Sequence, residues 1–215
     1  MSTSAWFRHA GTLILSGGVL AAVSTVLHPP TVDPLDAAQV LAEVRRTLWL
    51  WMAVHVGLAA GLWLWTLGWV ALYRGLEEHG AARYALYGAI SGAVALAVWL
   101  PLLTAETAGL PLLARATAAG TAPSWWRFLW PVTLGSGYVA AFLHWSAALG
   151  AALDLPRLRG PWTAWGIAGA AALVPGFPGL VAAWLYPRYG LWLLLLTLAP
   201  GALWFFALAL RLRRS

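Results

Sequence analysis

Six stretches of mainly apolar residues, each nearly free of charge, are the feature that most constrains this chain. They run approximately over 10–28, 48–73, 83–105, 126–152, 162–186 and 190–210. A helix needs ~20 such residues to cross the hydrocarbon of a bilayer. The joints between them carry breakers and charges: His28-Pro29-Pro30, Arg74 to Arg83, Pro111 to Pro123, Asp154 to Pro161 and Pro187 to Gly190. The expected fold is therefore all-α, a polytopic membrane protein with six transmembrane helices in one bundle domain, 1–215. Arg8 and His9 precede the first run as in a secretory signal, but the small-residue cleavage pattern is poor, so the segment is expected to stay as the first span.

Composition sharpens this. The chain is 61% hydrophobic and 9% charged, against ~25% charged in an average soluble domain. With no Cys, disulfide frameworks, thiolate metal sites and cysteine nucleophiles are excluded. All thirteen basic residues are Arg, and they sit in short runs beside apolar segments rather than on a continuous surface. Nucleic-acid binding is therefore not expected. Placing the N-terminus inside puts eight Arg on the inner side and five on the outer. Both termini are thus expected in the cytoplasm, in a bacterial inner membrane.

Tryptophan and glycine fit a bundle in lipid. Trp6, Trp49, Trp51, Trp125, Trp126 and Trp162 fall near span ends, where an indole keeps its ring apolar and its N–H among headgroups. Trp63, Trp65, Trp69, Trp99, Trp145 and Trp204 lie deeper, as packing bulk or as the wall of a flat cofactor. Gly57/Gly61 and Gly88/Gly92 have the GxxxG spacing that lets helices approach closely, and Gly166/Gly169 resembles it.

Polar groups inside spans are the candidates for function, because burying them costs several kcal/mol (~3 or more for a charge) unless something pairs with them. His28 closes the first span, His55 lies about two turns inside the second, and Glu106 ends the third, all toward the outer side. His144 lies in the fourth span, nearer the inner side. Imidazole ligates haem iron, zinc and copper, and a carboxylate can complete a metal site or hold an imidazole tautomer. His28, His55 and His144 are the candidate cofactor-binding residues, for a non-covalent haem b, and His55 with Glu106 the candidate metal ligands. Each also has a plain structural reading, as an interfacial terminator or a residue bonded across helices.

The fifth span holds Pro175, Gly176, Pro178 and Gly179, so a straight helix there is not expected, and Pro200-Gly201 suggests a kink in the sixth. Broken helices line cavities in carriers. Catalytic motifs are missing: there is no HExxH, GxSxG or Walker pattern, and Ser136 with His144 lacks an orienting acid at its level. An enzyme is thus not the expected class. Three classes remain: a membrane protein with an outer His/carboxylate site, an accessory subunit of a larger membrane assembly or homo-oligomer, and a small-solute or ion carrier built on the broken helix.

The order of His28-Pro29-Pro30, Trp51 and His55, Leu72-Tyr73 with Arg74, and the Gly-rich third span resembles a loose group of small, uncharacterised bacterial integral membrane proteins. The resemblance covers roughly the first half of the chain. It implies a polytopic inner-membrane topology and carries no activity.

Overall fold

The computed structural model describes residues 5–29 and 33–214; Pro30, in the segment expected to close the first span, lies outside them. The described residues are mainly helical and contain no strand. Helix α1 spans Ala5–Leu27, α2 Ala37–Arg46, α3 Leu48–Glu78, α4 Ala85–Thr104, α5 Leu110–Ala116, α6 Ser124–Asp154, α7 Pro161–Leu173, α8 Gly176–Leu185 and α9 Gly190–Arg214. A π turn, Ala105–Gly109, joins α4 to α5 without a gap. Counting α4 through α5 as one rod and α7 with α8 as another, six helical segments are long and apolar enough to cross a membrane.

Several helices outrun the expected spans. The second continues to Glu78 rather than ending near residue 73, and the third continues through the π turn to Ala116. Hydropathy marks where hydrocarbon ends, whereas Arg, Glu and Leu beyond that point still favour helix. The connection between the first two spans also contains a helix. In α2, Ala37, Val40, Leu41 and Val44 are buried on one face, Asp36 caps the start, and Arg45 and Arg46 occupy the last turn, where cations suit the helix dipole.

Glycine brings helix axes together. A Cβ on Gly17 would stand 2.6 Å from Gly61 O, and one on Gly61 would stand 2.9 Å from Gly17 O, so α1 and α3 touch backbone to backbone. Gly88 and Gly150 do the same for α4 and α6, each facing the other helix's carbonyls at 2.7 Å from where its Cβ would be. Without a hydrophobic drive between helices in lipid, such close packing is the main source of cohesion.

The core has two parts. The larger runs through the bundle with Phe7, Ile14, Trp69, Leu72, Trp145 and Phe205 among its buried residues. The smaller lies at the end carrying α2 and is built from Val40, Leu41, Val44, Trp51, Leu110, Trp126 and Trp130. Trp51 and Trp126, expected in the headgroup belt, are therefore core residues, because α2 and α5 fold over them. Of the deeper indoles, Trp63 points outward at 48% exposure, whereas Trp69, Trp145 and Trp204 are buried.

The opposite end, which carries both termini, is held by Asp154. Its side chain is fully buried. Oδ2 accepts from the backbone N–H groups of Arg83, Tyr84 and Ala85 at 2.7, 2.6 and 2.7 Å. Arg157 Nε lies 3.1 Å from Oδ1. Helix α4 has no side-chain cap of its own, so the last residue of α6 supplies the acceptor for its first turn. Asp154→Ala is expected to cost about 2 kcal/mol of stability, read as a lower thermal midpoint of the detergent-solubilised protein. Asp154→Asn, which keeps one acceptor oxygen, is expected to lose clearly less.

Candidate functional site

At the α2 end of the bundle, a closed ring of two hydrogen bonds and one ion-pair contact ties α3 to the π turn. The turn arises because Leu110 N–H bonds Ala105 O, one residue farther back than in an α-helix. In that register Glu106 O would next accept from residue 111, which is Pro111 and has no N–H. The indole of Trp51 takes the vacant place, donating from Nε1 to Glu106 O at 3.0 Å. The Glu106 carboxylate turns toward α3 and meets His55, with Oε2 2.9 Å from Nε2. His55 Nδ1 closes the ring at 2.7 Å from Trp51 O, one turn back on α3. Imidazole and indole stack with centroids 4.6 Å apart.

Both ring nitrogens of His55 thus face acceptors, a carbonyl oxygen and a carboxylate oxygen. The Nε2–Oε2 contact is one that a proton between the two groups would strengthen, as imidazolium with carboxylate or as imidazole with carboxylic acid. His55 is 2% exposed and Glu106 12%, so the contact lies under cover.

His28 adjoins this ring without joining it. Its imidazole lies 5.0 Å from those of both His55 and Trp51, and its Nδ1 is 2.9 Å from Pro29 O. Imidazoles this close leave no space for a macrocycle between them. Among the described residues no group of three His, Asp or Glu side chains converges to hold a metal ion. His144 lies apart from the three, on α6, buried beside Trp65 at 5.4 Å between ring centres. Neither of its nitrogens has a hydrogen-bond partner among the described residues.

The break in the fifth span falls between α7 and α8, at Val174 and Pro175. Pro175 and Pro178 face outward, whereas Gly176 and Gly179 face inward against Trp145 and Thr197. Phe177 N–H bonds Val174 O, which leaves Leu173 O without its helical donor. Trp145 Nε1 donates to that oxygen at 2.7 Å. The carbonyl released by the break is thus taken by an indole. Helix α9 runs without interruption through Pro200.

The cover over the ring is α2. Arg45 fastens it by donating to Ala114 O at 2.9 Å and Thr117 O at 2.6 Å, the free carbonyls at the end of α5. Trp130 Nε1 donates to Pro34 O at 2.6 Å just before α2 begins. Asp36 starts the helix by accepting from the N–H groups of Ala38 and Gln39. The Gln39 backbone bond, helped by those of Ala38, the Gln39 side chain and the charge of Arg127, holds the Asp36 carboxyl below its ordinary range.

Sequence reasoning located His55, Glu106 and His28 but missed Trp51 as the third member of the ring. Part of the signal was present in Pro111, which has no N–H and so leaves a carbonyl of the preceding turn in need of a donor; the π register makes it that of Glu106. Comparison of the chain with protein-family models, with curated proteins and with solved structures finds no match.

Two outcomes follow from these contacts. Trp51→Phe is expected to destabilise the protein by about 1–2 kcal/mol by leaving Glu106 O unpaired. Pro111→Ala restores an N–H at that position, so the double variant should lose less than the sum of the singles, as read from thermal unfolding. For α2, a depressed folded-state carboxyl means that capping by Asp36 is fully present above the ordinary carboxylate range. It is lost as pH falls through the lowered value. Protection of the α2 amides, taken relative to their intrinsic exchange rates at each pH, should therefore fall in acid, and Asp36→Asn should remove most of that pH dependence.

Proposed function

We propose that this is a six-span protein of the bacterial inner membrane, with both termini cytoplasmic, whose outer half carries a proton-holding site formed by His55 and Glu106. The observation that carries this reading is the pairing of both His55 nitrogens with acceptors. A buried ionisable pair in a span is a proton or ligand site by default, and a π turn is a frequent companion of such sites. The orientation rests on arginine. The end with both termini carries Arg8, Arg74, Arg83, Arg157, Arg159, Arg211, Arg213 and Arg214, against Arg45, Arg46, Arg115, Arg127 and Arg188 at the other.

In this site the proton has two stations, Nε2 of His55 and Oε2 of Glu106. Adding a second proton gives imidazolium beside a neutral carboxylic acid. Removing the first leaves an imidazole lone pair facing a carboxylate. Either change weakens the contact that holds the π turn against α3. Protonation and the seating of that turn are thereby linked.

A metal ion is the second reading, and one observation favours it. His28 and His55 both offer Nδ1 to a backbone carbonyl, which directs Nε2 outward as the ligand nitrogen, an arrangement common around bound metals. An ion would take the proton's place between His55 and Glu106, with His28 drawn in as the third ligand. The arrangement lends less support to haem, since the close imidazoles would have to part to admit it.

Nitrogen NMR of 15N-histidine-labelled protein tests the proton reading. Wild type should show one imidazole with both nitrogens protonated at neutral pH, or a pair in fast proton exchange with a carboxylic acid. Glu106→Gln should convert that signal to neutral imidazole. A neutral His55 unaffected by Glu106→Gln would refute the shared proton. Stoichiometric uptake of zinc that shifts both His28 and His55 would instead support the metal reading.

A further inference from the structure

The end of the bundle that carries both termini has a groove with no part in the His55–Glu106 site. It encloses about 490 Å³ and is lined by Trp162 and Trp165 from the start of α7, and by Ala207, Leu210, Arg211 and Arg214 from the end of α9. We propose that this groove binds an anionic glycerophospholipid, with the phosphate held by Arg211 and Arg214.

The groove is graded like an amphiphile. Ala207 and Leu210 lie farther into the span, and Arg211 and Arg214 lie at the chain's end. Spacings of three, four and seven residues set these side chains on one face of α9. The indoles of Trp162 and Trp165 stand one turn apart and make the opposite wall. The Arg211 guanidinium lies over both rings, 5.0 Å from the centre of Trp162 and 5.4 Å from that of Trp165. Contact with two aromatic faces restrains the guanidinium, which can bind a phosphate diester in fork-like fashion.

Charge at this end also calls for an anion. Its eight Arg face three carboxylates, Glu77, Glu78 and Asp154, a balance of 8 − 3 = +5, against 5 − 4 = +1 at the other end. Glu77 is engaged by Arg74 and Tyr73. Asp154 is engaged by α4 and Arg157. Helix α7 opens on Gly160 and Pro161 with no side-chain cap, so its positive end is directed toward the same region. A zwitterionic headgroup brings no net charge to this field. A free phosphate would use the Arg side chains but leave the apolar wall of Ala207 and Leu210 unfilled.

The test is lipid binding to the full chain in detergent, read by native mass spectrometry and by the thermal midpoint. Phosphatidylglycerol should remain bound and raise the midpoint, whereas phosphatidylcholine and inorganic phosphate should not. Arg211→Gln with Arg214→Gln should weaken phosphatidylglycerol binding at least ~10-fold, the size expected when two charge-assisted contacts are lost. Trp162→Leu, which keeps all charges, should weaken it several-fold and covers the case of a poorly folded double variant. Arg8→Gln with Arg74→Gln, on the same end but outside the groove, should weaken it far less. The proposal is overturned by equal retention of phosphatidylcholine, by inorganic phosphate reproducing the shift, or by binding that falls alike for both Arg pairs.

Discussion

A chain immersed in hydrocarbon must satisfy its own backbone, because no solvent is present to do so at a helix end or a break. Much of what is distinctive in this protein answers that one demand. Asp154 serves the first turn of α4, Arg45 the last turn of α5, Trp145 the carbonyl released at Pro175, and Trp51 the carbonyl stranded by Pro111. Trp130 and Trp204 likewise donate to main-chain oxygens, those of Pro34 and Trp165. An indole suits the task well: it brings one donor, no acceptor and a large apolar body that lipid or core accepts. Part of the Trp content is thus a set of detached backbone donors.

The same view explains what was legible beforehand. Spans, their number and the interruption at Pro175 follow from local composition, and each can be read from a short window of sequence. His55 and Glu106 stand out because ionisable groups are rare at that depth. The partners could not be read so directly. Asp154 caps a helix that starts some seventy residues earlier, and Arg45 reaches a carbonyl sixty-nine residues later. Trp51 near a span end looks like a headgroup anchor until α2 and α5 close over it. Helix α2 itself escapes a search for apolar runs because only one of its faces is buried.

In the His55–Glu106 ring, support and the proposed chemistry rest on the same contacts. The carboxylate that meets the imidazole belongs to the residue whose carbonyl needs the indole, and the imidazole leans on the carbonyl of the residue that carries that indole. Loss of any one bond loosens the other two. Under the proposed proton sharing, a change of protonation would have a mechanical answer in the π turn, and straightening the turn into an α-helix would carry Glu106 away from His55. The break between α7 and α8 differs: its open carbonyl is closed by a neutral donor, with no titrating group involved in the bond.

The glycine seams between α1 and α3 and between α4 and α6 have a consequence for how such a chain can vary. Where backbones touch, neither helix can slide or roll past the other without one turn climbing over the next. Register along these pairs is therefore fixed to the residue. Inserting or deleting a single residue between a seam glycine and the middle of its helix would rotate the remainder by about 100° and carry the glycine out of the seam. Length variation in this protein is thus confined to its connecting segments, while the helices behave as parts of set length.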